Sequence, residues 1–142
     1  MVDTVTAVWV LRRDGTALLQ HRDDKPGLPH AGMWVPPGGH PNLGESMPAC
    51  ARRELREETE YDAPDLRFLT TLDGAYEDGA EFRATIFWCW YDEMQTIVCH
   101  EGQDLVFVKR SDAADYRIMD FLVDVWDAAI AAASATTEAY TT

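Results

Sequence analysis

Positive charge is scarce in this chain. Lys and Arg number 12 against 25 Asp and Glu, a formal net charge of −13 over 142 residues. A field of that sign repels phosphate backbones and anionic lipid, which argues against a nucleic-acid polymer or a membrane surface as partner. A small anionic substrate stays open, provided a metal or a local Arg or Lys supplies positive field. Cysteine is scarce too. Cys50, Cys89 and Cys99 contain no Cys-x-x-Cys pair, which argues against a structural zinc site and suits packing residues in a reducing compartment. His21, His30, His40 and His100 are too scattered for a transition-metal site. No long apolar run exists either. The stretch Ile118 to Ala133 is broken by Asp120, Asp124 and Asp127 and is too short and too charged to span a bilayer. Met1-Val2-Asp3-Thr4 offers no basic n-region of a signal peptide, so the expected location is the cytoplasm.

What is present suits one domain. Hydrophobic residues make up 46% and charged residues 26%, ordinary for a globular chain that buries a core without disulfides. Val5 to Leu11 is β-branched and aromatic, with apolar residues at both parities, and predicts a central strand covered on both faces. Arg13-Asp14-Gly15-Thr16 turns the chain into a returning strand, Ala17 to Arg22, as a hairpin. The Pro/Gly-rich segment 23–32 is a loop. A short apolar piece, Met33-Trp34-Val35, follows it. Ser46 is an N-cap and Pro48 is tolerated in the first turn of a helix over Met47 to Thr59. Strands are predicted over 66–72, 82–91 and 105–108, and a helix over 120–133. This order argues for an α/β fold, a mixed β-sheet between helices. Residues 1–134 form the expected domain and 135–142 a flexible C-terminal tail.

The chemistry concentrates in the first helix, in Arg52-Arg53-Glu54-Leu55-Arg56-Glu57-Glu58. At about 100° per residue, Glu54, Glu57 and Glu58 share one sector of the helix surface. Such a cluster is either a solvated face laced with Glu–Arg pairs or a site for a hard cation, Mg²⁺ or Mn²⁺, held by carboxylates and substrate phosphate. The lead-in tips the balance toward the cation site. Gly39, five residues, Glu45, seven residues, then Arg53-Glu54-Leu55-x-Glu57-Glu58 resembles the Nudix box, G-x5-E-x7-R-E-U-x-E-E-x-G-U, with U aliphatic. The box spans Gly39 to Tyr61, and the order of elements around it also resembles the Nudix α/β/α sandwich. Glu60 stands where the family has Gly, and Tyr61 where it has an aliphatic residue. A Gly there ends the helix in a left-handed conformation, which costs a Glu roughly 1 kcal/mol.

The resemblance implies a Mg²⁺-dependent (or Mn²⁺-dependent) hydrolase cleaving a pyrophosphate bond in a small nucleotide-like substrate. A nucleoside triphosphate is the leading class, as in a small MutT-like enzyme. The alternatives are a nucleotide sugar or dinucleoside polyphosphate, or a catalytically silent Nudix fold used for ligand binding or regulation. By the same resemblance Glu57 and Glu58 are the core metal ligands, joined by the Gly38 carbonyl. Glu54 is a third ligand or the base that activates water. Arg53 orients the glutamates, and Glu45 supports that network. Gly38 and Gly39 let the backbone approach a phosphate. Glu101, in a Glu-Gly-Gln stretch before the last strand, resembles a position that adds a ligand or base in this family.

Other candidates rest on weaker patterns. Arg22, at a strand end facing the Pro/Gly loop, is a phosphate contact or a surface ion pair. Trp34 lines the cleft or packs. Trp88 and Trp90 share a strand face, where Trp88 is a candidate for stacking on a base and core packing the default. Tyr76 lies at a spacing after the box that resembles dinucleoside polyphosphate hydrolases. The oligomeric state stays open, with a homodimer among the arrangements expected.

Overall fold

The structure is a computed structural model that describes residues 2–28 and 30–141, with side chains as far as residue 136. Its strands are β1 (Asp3–Leu11), β2 (Ala17–His21), β3 (Trp34–Val35), β4 (Arg67–Ala75), β5 (Glu81–Trp90) and β6 (Asp104–Val108). The helices are α1 (Met47–Thr59) and α2 (Asp120–Thr141), with a short 3-10 turn at Arg110–Asp115. The strands form one sheet in the order β3-β2-β1-β5-β4, with β6 on β2. β1 runs parallel to β5, in register from Asp3 opposite Phe82 to Leu11 opposite Trp90. The remaining strand pairs are antiparallel.

The two parities of β1 face two different helices. Val8 and Val10 pack with Leu18, Phe87 and Cys89 against Ala51 and Leu55 of α1. Trp9 and Leu11 pack with Leu19, Ile86 and Trp88 against Leu122, Val125, Trp126 and Ala129 of α2. The Trp9 and Trp126 rings stack at 5.7 Å, and the Trp126 indole donates to the Gly15 carbonyl at 2.9 Å. The apolar run of β1 is therefore what a strand needs when both faces are covered, and the mixed sheet between helices is confirmed.

The expected hairpin forms in part. β1 and β2 pair only at Leu11 and Ala17, then diverge. The segment after the Pro/Gly loop enters the gap. Trp34 and Val35 pair with His21 and Gln20, while Pro37 and Gly39 accept from the Val8 and Thr6 amides at 2.8 Å. The second helix also differs from expectation, continuing past Ala133 to Thr141. Its sequence from Asp120 on holds no Gly or Pro to stop it, and its Ala-rich half has high helix propensity.

Candidate active site

Helix α1 begins where expected. The Ser46 hydroxyl accepts from the Ala49 amide at 3.3 Å, and Pro48 sits in the first turn. Ala51 and Leu55 are buried on the sheet, which fixes the helix rotation. That rotation separates the three glutamates. Glu57 is 57% exposed at its side chain, Glu54 is 17% exposed, and Glu58 is turned inward to 5%.

Arg53 joins the outer carboxylates. Its Nε and Nη2 donate to the two oxygens of Glu45 at 2.8 and 2.9 Å. Nη1 donates to Glu54 at 2.9 Å and Glu57 at 3.1 Å, and Nη2 also to the His40 carbonyl at 3.0 Å. This fork holds the Glu45 carboxyl down at about 2, helped by the Asn42 amide that also donates to it. Arg53 thus ties Glu45, Glu54 and Glu57 to the loop ahead of the helix.

The two glycines are required for reasons of packing. A β-carbon on Gly38 would collide with the Thr6 carbonyl on β1, and one on Gly39 would meet the Glu54 carboxylate. The loop is thereby pressed between β1 and α1. In that position the Gly38 amide donates to Glu58 Oε2 at 3.0 Å.

Glu58 carries the largest electrostatic perturbation. Burial, then contact with the Glu101 side chain, pushes its carboxyl up to about 9, against the lowering effect of the Gly38 amide. Glu101 therefore stands beside the box. The segment that carries it is bonded to the end of α1, with the Val98 amide donating to the Thr59 carbonyl at 2.9 Å and the His100 amide to the Glu58 carbonyl at 3.0 Å. On its other side the Gln20 amide donates to the Glu101 carbonyl at 3.1 Å, and Gln103 N–H to the His21 carbonyl at 2.8 Å. Gly102, at φ +81°, makes the turn between these anchors, and a β-carbon there would press on the His21 carbonyl.

Glu45, Arg53, Glu54, Glu57, Glu58, Gly38, Gly39 and Glu101 are thus gathered around α1. Even so, among the described residues no three His, Cys, Asp or Glu side chains stand close enough together to hold a metal ion. Arg53 draws Glu54 and Glu57 toward itself, while Glu58 faces Glu101. The donor chemistry nonetheless suits a hard divalent cation. All the candidate donors are oxygens, and Glu58 is a buried acid whose neighbours are a second acid and a backbone amide.

Beside Gly38 and Gly39 a cavity of 170 Å³ opens between the sheet and the start of α2. Its floor is apolar, including Val5, Leu72, Phe82 and Ile86, with Met119 and Phe121 from the α2 side. Arg22 and Tyr76 are among the residues that line it. The Tyr76 hydroxyl and His40 Nε2 both lie on Asp3 Oδ2, at 2.7 and 3.0 Å.

Two candidates lie elsewhere. Trp34 does not line the cavity: its ring stacks on His21 at 4.6 Å and meets Tyr116 edge-on at 5.1 Å. Trp88 is 3% exposed in the core on the α2 side. Parallel pairing with β1 sets it opposite Trp9 inside the sandwich, so the packing alternative holds for it. The sequence reading also missed residues. Gln20 is a buried amide in an apolar strand, a signal that was available. The contact of His100 with Glu60, at 2.5 Å, left no local signal, since 40 residues separate them.

A helix bearing Arg53, Glu54, Glu57 and Glu58 lies on one face of a mixed sheet, preceded by a pinned glycine pair and faced by a loop glutamate, an arrangement of the Nudix type. The NUDIX domain family model matches residues 2–130, and the chain belongs to that family. Among relatives, it is 30% identical over 118 residues to nucleoside triphosphatase NudI of Escherichia fergusonii, covering 75% of this chain and 82% of that protein. It is 41% identical over 58 residues to the m7GpppN-mRNA hydrolase NUDT17 of Xenopus laevis, a match spanning 41% of this chain and only 19% of that protein. The fold is shared with a C. elegans Ap4A hydrolase solved as a binary complex, with a TM-score of 0.78 at 19% identity over 94% of this chain and 99% of that one.

Proposed function

We propose that this protein hydrolyses a pyrophosphate bond in a nucleoside triphosphate or a closely similar nucleotide, with Mg²⁺ or Mn²⁺ as cofactor. The observation that carries the reading is Glu58, a carboxyl buried against Glu101 and the Gly38 amide and pushed up to about 9. A buried carboxyl beside a second acid is costly unless a proton or a cation accompanies it. Glu58, Glu57, Glu54 and the Gly38 carbonyl are the residues that would hold the metal. When bound, a divalent cation supplies charge neutralisation for the phosphate oxygens.

The chain's own groups divide the remaining work. Arg53 keeps Glu54 and Glu57 fixed relative to the glycine loop. Glu101, delivered from outside the helix and facing Glu58, is the group that takes a proton from the attacking water. Glu54 has one oxygen engaged by Arg53 and the Gly39 backbone at its side, which suits a ligand better than a base. The attacking oxygen bonds to phosphorus as the bridging P–O bond breaks.

The cavity supports a compact leaving or retained moiety. At 170 Å³ it is smaller than the roughly 300–1,000 Å³ of pockets that enclose drug-sized ligands, so it takes one ring and leaves the phosphates over Gly38 and Gly39, with Arg22 at the rim. The extended match to a nucleoside triphosphatase favours the same class. A panel of nucleoside triphosphates, nucleotide sugars and dinucleoside polyphosphates, with products identified and Mg²⁺ present or chelated, tests this. Triphosphates should be hydrolysed fastest and chelation should abolish turnover. Full activity in excess chelator would overturn the metal assignment, and preference for a dinucleoside polyphosphate would overturn the substrate class.

A further inference from the structure

We propose that Glu60 is a positioning residue for Glu101: its carboxylate holds His100, and with it the loop that sets Glu101 against Glu58. The inference rests on the reading of Glu101 given under Proposed function. It starts from an anomaly of the backbone. Glu60 caps α1 at φ 63°, ψ 5°, its amide donating to the Arg56 carbonyl at 2.8 Å. That left-handed position favours Gly, or failing that Asn, and a side chain such as Glu is strained there. Here the Glu has a use that Gly cannot supply. Its Oε2 lies 2.5 Å from His100 Nε2, one residue before Glu101.

The rest of the loop shows why that contact matters. On the β2 side Glu101 is restrained twice, by Gln20 on its carbonyl and by Gln103 N–H on His21. On the α1 side the main-chain bonds from Val98 and His100 end on Thr59 and Glu58, in the last turn of a helix. Helix ends fray. The Glu60 side chain bridges that last turn to the loop, so fraying and loop displacement become one event. The left-handed cap aims the carboxylate at His100, and the strain and the contact belong to one arrangement.

Both partners are about half exposed, at 52% for Glu60 and 49% for His100. Such a pair adds little to global stability. Its loss should therefore register locally, which separates positioning from a general structural role.

The test compares Glu60→Asn, Glu60→Gln, His100→Ala and the Glu60→Asn/His100→Ala double variant. Asn tolerates the left-handed cap but is too short to reach His100, whereas Gln keeps the reach and an acceptor oxygen. Amide hydrogen exchange is read in metal-free protein at Val98, His100 and Gln103. Steady-state kinetics are read with Mg²⁺ on the best substrate of the panel. In Glu60→Asn the His100 amide should exchange roughly tenfold faster, a local opening. Its kcat should fall roughly tenfold through misplacement of Glu101, with KM within about twofold and the melting temperature held. Glu60→Gln should restore both readouts, His100→Ala should match Glu60→Asn, and the double variant should be no worse than either. Unchanged exchange at His100 in Glu60→Asn overturns the proposal, as do additive losses in the double variant. If wild type turns over no nucleotide, or Glu101→Gln leaves the rate intact, the hydrolase reading fails on its own, and the exchange arm still decides whether Glu60 holds the loop.

Discussion

At the scale of single residues, Glu58 sits furthest from what its side chain requires. A Glu carboxyl ordinarily titrates near 4.5, and here burial and the Glu101 side chain push it up to about 9. Because the folded value is raised, the unfolded chain releases this proton first. The folded state is therefore unpenalised below pH 4.5 and loses stability as pH rises from there through about 9. Glu58→Gln removes that loss while keeping size and shape. In chelator at pH 8, urea unfolding should show Glu58→Gln more stable than wild type by roughly 1–3 kcal/mol, and the gain should vanish near pH 4. A variant less stable than wild type at pH 8 would mean Glu58 is ionised and satisfied without a cation. With Mg²⁺ the order reverses for function: Glu58→Gln, and Glu57→Gln beside it, should cut turnover by orders of magnitude with circular dichroism unchanged. Metal binding to wild type at pH 7 should also displace a proton, seen by calorimetry in buffers of differing ionisation enthalpy.

At the scale of elements, α1 is a helix organised around one guanidinium. Arg53 reaches Glu45, Glu54, Glu57 and the His40 carbonyl with a planar fork, which the single ammonium of Lys cannot reproduce. Arg53→Lys should keep the fold and lower kcat by roughly a hundredfold, since misplacing a positioned group by about 1 Å has that effect. Equal kcat in the two proteins would show that the hub is ornamental. Acid should reveal the same hub. Glu45 has a folded value lowered to about 2, so its contribution is present above pH 4.5 and is lost as pH falls through about 2. Carboxyl titration by NMR should place Glu45 last among the glutamates to protonate in wild type and move it upward in Arg53→Lys. The loop before α1 is equally constrained. Gly38→Ala would drive a methyl into the Thr6 carbonyl on β1 and should destabilise by about 1–3 kcal/mol or more, as overpacking does, measured by thermal melting. The N-cap is separable from this, and Ser46→Ala should cost only ~1 kcal/mol.

At the scale of the whole molecule, charge and topology decide how the site works. A chain of net charge −13 repels itself as well as phosphate, so salt should raise its melting temperature by screening. Mg²⁺ should raise it further than NaCl at the same ionic strength, because a bound cation stabilises the state that binds it. In Glu58→Gln the two salts should give matching melts; a Mg²⁺-specific rise surviving there would place the binding elsewhere. The sheet brings the pieces together. β2 carries Gln20 and His21, which anchor the Glu101 loop, while β1 carries Thr6, against which the glycine pair lies. No helix among the described residues is long and apolar enough to cross a membrane.

Much of this molecule is legible in its sequence. Apolar residues at both parities of β1 meant two covered faces, Ser46 and Pro48 placed the start of α1, and the resemblance of the Gly39-to-Glu58 stretch to the Nudix box pointed to the carboxylates and Arg53 as the residues to follow. These features are local: caps, periodicities and short spacings act within a few residues, so the chain displays them directly. The end of α2 is local too: its small and polar residues suit a frayed tail, but with no Gly or Pro among them helix propensity carries the helix to Thr141. Tertiary structure decided what depends on distant partners. It turned Glu58 inward and Glu57 outward, because Ala51 and Leu55 had to meet the sheet. It sent Trp88 into the core, because pairing with β1 sets it opposite Trp9. It filled the divergence of β1 and β2 with residues 34–39, and it brought His100 and Glu101 onto the end of α1, some 40 residues away in the chain. Such contacts follow from which faces must be buried together, and no window along the sequence contains both partners.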